Sequence, residues 1–205
     1  VSTNHSMPEN LMDNMKLLAP VSRPINYILK AYGARFHSKA DYVTLPTQSA
    51  IDMFNAKDKI TVPMEAVSNG IDLAHFKPGK VKDEIYKKFK IDKNKKTITY
   101  LGRLDAEKHL HILIRAFADL VDEGLDAQLL MIGGGTDIDN LKRLASRLRI
   151  NDKVVFTGRF DEEDKVQLHR IGTVFCMPSP AELQSIATLE AMASGQPVVA
   201  VDAGA

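Results

Sequence analysis

Four side chains combine types and spacing suited to holding a polar, anionic molecule: Arg103, Lys108, Glu182 and Glu190. Arg103 and Lys108 lie in Gly102-Arg103-Leu104-Asp105-Ala106-Glu107-Lys108, directly after the apolar run Thr97–Leu101 and ahead of a helical pattern. A guanidinium grips phosphate oxygens through paired N–H donors, an ammonium adds a movable point charge, and the first N–H groups of a helix contribute their dipoles. The same cations also suit surface ion pairs with Asp105 and Glu107, and the local sequence leaves both readings open. Glu182 follows in Pro178-Ser179-Pro180-Ala181-Glu182-Leu183-Gln184-Ser185, ahead of a helix that carries Glu190. A carboxylate accepts hydrogen bonds from vicinal hydroxyls, so two acids facing two cations fit a molecule with phosphates and hydroxyl-rich rings, such as a sugar nucleotide. Taken singly, Glu190 reads as a helix-surface acid and Glu182 as an acid near a helix N-terminus. Gly133-Gly134-Gly135 adds bare backbone able to pass close to a ligand.

These residues need a scaffold that brings them together, and the pattern from Lys96 onward supplies one. Thr97–Leu101, Gln128–Ile132, Val154–Phe156, Val174–Met177 and Val198–Val201 are short runs apolar enough to be covered on both faces, as in a parallel sheet. Between them, Leu110, Leu113, Ile114, Phe117 and Val121 recur at helical spacing, as do Ile138, Leu141, Leu144, Ala145 and Leu148. Glu162–Ile171 and Ser185–Ser194 complete the alternation. The expected class is α/β, a doubly wound, Rossmann-like parallel sheet. In the common 3-2-1-4-5 strand order, strands one and four are neighbours at the switch point, and their exit loops line the ligand crevice. Those are the loops that carry Arg103, Lys108 and Glu182.

The first 70 residues differ. Pro20 and Pro24 interrupt a helix-rich stretch, Ile25, Ile28, Leu29, Tyr32 and Phe36 mark one helical face, and Tyr42–Leu45 and Thr61-Val62 read as strands. This predicts part of a second α/β domain over 1–70, with the sheet domain over 71–205 and a turn at Asn69-Gly70 as the joint. The lysine-rich run Lys80–Lys96 contains Ile85, Tyr86 and Phe89, which predicts an amphipathic helix with a solvated lysine face.

Composition narrows the classes. With 44% apolar and 26% charged residues the chain is that of a globular protein. Its net charge of +1 gives no general attraction to nucleic acid. A single cysteine, Cys176, excludes an internal disulfide and is expected in the core. No apolar stretch reaches the ~18 residues of a membrane span. Gly-x-Gly-x-x-Gly is missing after the first strand and Gly-Lys-Ser/Thr throughout, against a nicotinamide-dependent enzyme or an NTPase. His109, His111 and His169 lack a partner carboxylate or cysteine in the sequence pattern and read as surface or boundary side chains, so no metal site is expected. Val1 and the apolar run before Ala205 suggest that both ends are internal to a longer protein.

The chain resembles the retaining group 1 glycosyltransferases of the GT-B fold. The resemblance is carried by Ser68-Asn69-Gly70-Ile71-Asp72 with Phe76 and Pro78, by Tyr100-Leu101-Gly102-Arg103-Leu104 with Glu107-Lys108, and by Phe156-Thr157-Gly158-Arg159-Phe160. It also rests on Pro178-Ser179 through Glu182, seven intervening residues and Glu190, continued by Ala191-Met192-Ala193-Ser194-Gly195. It implies that Arg103 and Lys108 hold a donor diphosphate, that Glu182 meets the transferred sugar and that Glu190 binds the ribose. Ser185 and Ile186 would offer backbone to phosphate or sugar, and Gly158, Arg159 and Phe160 would receive the base. His5, in Asn4-His5-Ser6-Met7-Pro8-Glu9-Asn10, corresponds to a histidine near the transferred sugar. Many members have Gly-Phe-Gly after the first glutamate, where this chain has Leu183-Gln184-Ser185.

The implied activity is retaining transfer of a hexose from a nucleoside diphosphate sugar, such as UDP-glucose or GDP-mannose, with no cofactor. The 205-residue piece alone is expected to lack turnover. The wording around His5 and Glu182 is similar to enzymes that glycosylate lipids, implying a lipid or glycan acceptor met at the cytoplasmic membrane face. Leu11–Lys39, with Lys16, Arg23, Lys30, Arg35 and Lys39, is the expected docking element, although its apolar stripe equally suits packing within its own domain. The alternative is a non-catalytic nucleotide-sugar-binding or scaffold module of the same fold.

Overall fold

The computed structural model describes residues 2–3, 32–33, 35–58, 61–180 and 182–202. The chain divides into two compact units, Val1–Gly70 with Ala181–Ser185 and Asp202–Ala205, and Ile71–Pro180 with Ile186–Val201. Residues 181–185 thus group with the first unit, apart from the sequence around them.

In the first unit, β1 (Ser2–Thr3), β2 (Val43–Leu45) and β3 (Met64–Ala66) form a parallel sheet in that order. The last of these replaces the strand expected at Thr61-Val62. Between β2 and β3 runs α1 (Gln48–Asp58), whose start is capped by Thr47: its hydroxyl oxygen accepts from the Ala50 N–H at 3.0 Å. Val43, Leu45, Ala50, Ile51 and Phe54 form the core, and Leu183 joins it. That burial, with the Thr47 hydroxyl donating to the Leu183 carbonyl at 3.1 Å, is why the segment groups here. Gln184 adds to the hold, its carbonyl oxygen accepting from both Asn69 N–H groups at 2.8 Å and its amide donating to Ser68 Oγ at 2.8 Å.

The second unit holds five parallel strands: β4 (Lys96–Leu101), β5 (Ala127–Ile132), β6 (Val154–Gly158), β7 (Val174–Met177) and β8 (Val198–Ala200). Their spatial order is β6-β5-β4-β7-β8, which is third, second, first, fourth, fifth, the common doubly wound order. The intervening helices are α2 (Asp83–Phe89), α3 (Leu110–Asp122), α4 (Ile138–Arg147), α5 (Glu162–His169) and α6 (Ile186–Ala193). In α3 the predicted stripe of Leu110, Leu113, Ile114 and Phe117 is buried; in α4, Leu141, Leu144 and Ala145 are. Short α2 buries Ile85 and Phe89 and turns its lysines outward. Every residue of β5 is buried, which explains its unbroken apolar character, and its one amide is fully used. Gln128 donates to the Asp92 carbonyl at 2.6 Å and to Thr97 Oγ1 at 2.9 Å, and accepts from the Asp92 N–H at 3.1 Å.

Cys176 is half-buried rather than core, and burial raises its thiol pKa. It lines an apolar groove of about 430 Å³ with Ile98, Ile112, Phe117, Leu120 and Val199. Among the described residues no helix is long and apolar enough to cross a membrane.

Candidate functional site

The carboxyl ends of β4 and β5 are joined beyond their last paired residues. Gly102 N–H donates to the Ile132 carbonyl at 3.0 Å, Leu104 N–H to the Gly134 carbonyl at 2.9 Å, and Asp137 N–H to the Leu104 carbonyl at 2.9 Å. Such close approach explains two of the glycines: a Cβ on Gly133 would lie 2.1 Å from the Gly102 carbonyl oxygen, and one on Gly135 2.3 Å from that of Leu104. Gly133 also has φ +132°, so its bare backbone serves loop-on-loop packing, whereas Gly134 faces open space.

This loop pair frames Arg103. Its guanidinium is ion-paired through Nη1 to Asp105 and through Nη2 to Glu107, whose carboxylates are buried while the Arg103 side chain is 57% exposed. Arg103 is thus paired with the neighbouring acids, as one of its two readings has it, while more than half of its side chain stays exposed at the strand end. Asp105 Oδ1 accepts from both Thr136 N–H, at 2.8 Å, and Thr136 Oγ1, at 2.9 Å. Burial pushes the Asp105 pKa up, but the Thr136 hydrogen bonds and the Arg103 and Lys108 charges outweigh it and hold the carboxyl below its usual value. Lys108 is buried at the end of a single 3₁₀ turn, Ala106–Lys108.

Glu190 is not the surface acid that its isolated helix position suggests. It lies on α6, 4% exposed, and accepts from Lys165 Nζ at 2.6 Å on Oε1 while His169 Nε2 lies 3.2 Å from Oε2. Lys165 and His169 are one turn apart on α5. Burial raises the Glu190 pKa, but the hydrogen bonds from His169 and Lys165 and their charges dominate and lower it. His169 is fully buried, which corrects its reading as a surface or boundary residue; the Glu190 carboxylate on the next helix supplies the missing partner. Phe76 closes the cluster, its ring 5.8 Å from that of His169 and 5.4 Å from Lys165 Nζ. Asp72 builds the turn that delivers Phe76, its carbonyl accepting from Phe76 N–H at 2.8 Å and its carboxylate from Ala74 N–H at 2.9 Å.

At the end of β6, Gly158 has φ +67° and nothing near its α-carbon face, Arg159 is exposed, and Phe160 packs half-buried against the core. Ile186 is exposed at the start of α6. Glu182 and Ser185 are half-buried and belong to the first unit's grouping. His5 lies outside the described residues, as do Lys16, Arg23 and Lys30. Of the expected docking stripe, Tyr32 and Phe36 are described and are exposed, while Ile25, Ile28 and Leu29 fall outside. The described residues contain no group of three or more His, Cys, Asp or Glu able to hold a metal ion.

The family signature described as "Glycosyl transferases group 1" matches residues 81–205. The chain belongs to the group 1 glycosyltransferases. Among the relatives of this group 1 glycosyltransferase is an alpha-monoglucosyldiacylglycerol synthase of Streptococcus pneumoniae, 31% identical over 80% of this chain and 38% of that one. A D-inositol 3-phosphate glycosyltransferase of Corynebacterium jeikeium is 30% identical over 80% of the chain and 42% of its own length. The chain therefore spans about two fifths of these relatives. A crystal structure of Anabaena HepE in complex with UDP and glucose superposes with a TM-score of 0.72, at 23% identity, over 86% of this chain and 49% of that one. The fold is that of GT-B glycosyltransferases.

Proposed function

We propose that the protein transfers a hexose from a nucleoside diphosphate sugar to an acceptor, with retention at the anomeric carbon. Residues 71–205 would serve as the donor domain and 1–70 as part of the acceptor domain. The observation that carries this reading is the placement of Arg103 and Lys108 in the exit loop of the strand at the switch point, in a chain of this family. As the bond from the anomeric carbon to the diphosphate oxygen breaks, negative charge grows on the leaving group, and fixed cations there act where charge develops. Glu182 would meet the sugar, Glu190 the ribose, Ser185 and Ile186 the phosphates or sugar, Gly158–Phe160 the base, and His5 the transferred hexose.

The acceptor we propose is a membrane lipid, reached at the cytoplasmic face. One of the relatives is named for a glucosyldiacylglycerol product, which supports this, whereas another is named for D-inositol 3-phosphate. One observation favours the second reading, a binding module: Arg103 is already charge-paired by Asp105 and Glu107. The test incubates the full-length protein with UDP-glucose or GDP-mannose and either diacylglycerol vesicles or inositol 3-phosphate, and reads the anomeric configuration of the product by NMR. A glycolipid with the donor's configuration is expected. An inverted product refutes retention, a glycosylated inositol phosphate replaces the acceptor, and nucleotide binding without any product establishes the module.

A further inference from the structure

The sequence motif accounts for Glu190 but not for the residues that hold it. Helix α5 presents Lys165 and His169 at a four-residue spacing to one carboxylate on α6, and each takes a different oxygen, at 2.6 and 3.2 Å. All three side chains are largely withdrawn from water: 17% of Lys165, 1% of His169 and 5% of Glu190 remain exposed. Phe76 covers the Lys165 and His169 side of the cluster, and Phe175 lies 6.0 Å from the imidazole on β7. In so dry a setting the carboxylate cannot swing between rotamers without abandoning two charge-assisted bonds. A carboxylate offers about four acceptor sites, so two held lone pairs leave about two, fixed in direction. That is the number a vicinal diol needs. The imidazole makes its contact through Nε2, and among the described residues Nδ1 has no hydrogen-bond partner, so there its hydrogen bonding goes to Glu190.

We propose that Lys165 and His169 are positioning residues for donor recognition: they lock the Glu190 carboxylate in the one orientation that reads the 2′- and 3′-hydroxyls of the donor ribose. The proposal rests on the reading of Glu190 as the ribose acceptor. It differs from a helix-to-helix tie in what it controls, since a tie affects stability whereas a positioned carboxylate discriminates ribose from deoxyribose.

The experiment titrates the full-length protein with UDP and 2′-deoxy-UDP, repeated with the GDP pair, and takes the ratio of dissociation constants for the base that binds. Wild type is expected to prefer the ribonucleotide by roughly tenfold or more, the worth of a hydrogen bond to a charged group. Lys165→Met and His169→Phe bring the ratio close to one, and Lys165→Arg and His169→Gln, which keep a donor, restore most of it. Combining Lys165→Met with Glu190→Gln gives no further loss beyond Glu190→Gln alone. If Glu190→Gln abolishes the preference while Lys165→Met and His169→Phe retain it, the positioning role is refuted and the ribose reading stands. If Glu190→Gln itself retains the preference, the ribose reading fails and the proposal with it. Tighter binding by Lys165→Met also refutes the proposal, because Lys165 would then compete with the ribose. Thermal melting of each variant identifies any that fail to fold, and whichever of Lys165→Met and His169→Phe still folds then decides the question, read against its donor-keeping counterpart.

Discussion

A guanidinium bound to two buried carboxylates is oriented before any ligand arrives, and this governs what each substitution at the β4 exit does. Arg103→Ala removes the exposed cation and the charge partner that Asp105 and Glu107 share. If Arg103 and Lys108 act mainly on the leaving group, replacing either by Ala lowers kcat of the full-length enzyme by on the order of 10²-fold or more, and unchanged kinetics in both variants would remove the assignment. Asp105 and Glu190 share a second property: both are buried, and both are held below their usual pKa by bonds to the charged form. Near pH ~4 the unfolded chain then binds more protons than the folded one, so their stabilisation is complete above the ordinary carboxylate range and is lost as pH falls through the depressed folded values. Urea unfolding between pH 7 and pH 3 should show a steep acid loss, and Glu190→Gln should flatten it. The Arg103 partner of Asp105 was among the readings of the local sequence, but the residues that hold Glu190 were not. Lys165 and His169 are ordinary helix residues until α5 and α6 are laid side by side, and Thr136 gains meaning only once it reaches Asp105.

At the level of elements, sequence pattern was sufficient wherever one contiguous stretch buries its own face, as in α3, α4, β4 and β5; β8 also forms where expected, but Val199 on it is 61% exposed, so that strand is not covered on both faces. Pattern failed where a residue's neighbours are distant: β3 begins at Met64 rather than Thr61, and Leu183 leaves a loop to join Val43 and Phe54. The glycine triplet was legible as bare backbone, but that Gly133 and Gly135 let one loop lie on another was not. Gly135→Ala would force the Leu104 backbone away and break its bonds to Gly134 and Asp137, for a loss of about 1–3 kcal/mol by denaturant titration and weaker nucleotide binding. Gln128→Leu makes the opposite case, a well-shaped apolar residue at a position whose polarity is required. It takes the Gln128 partner from the Asp92 N–H and from Thr97 Oγ1, while the Asp92 carbonyl keeps the Lys95 N–H at 3.3 Å, and should cost about 1–3 kcal/mol without altering nucleotide affinity.

On the scale of the whole molecule, the chirality rule leaves more than one doubly wound strand order open, and the chain takes the common 3-2-1-4-5 one, which strand–helix alternation alone does not select. The grouping of 181–185 followed from no such rule. The central position of β4 has a consequence for how the protein is made. Its partner on one side, β5, is translated soon after it, and its partner on the other, β7, only after β6 and α5 are complete. Thr97 and Thr99 are buried, and they meet Thr173 and Val174 through bonds of 2.7 and 3.3 Å from that late side. While the nascent chain ends before Thr173, β4, β5 and β6 can already associate, but one edge of β4 stays open with polar groups awaiting partners. Ribosome-stalled chains ending near residue 170 should therefore be cut by protease within β4, and chains extended past β7 should resist. Equal resistance at both lengths would mean that the first three strands are already a closed folding unit.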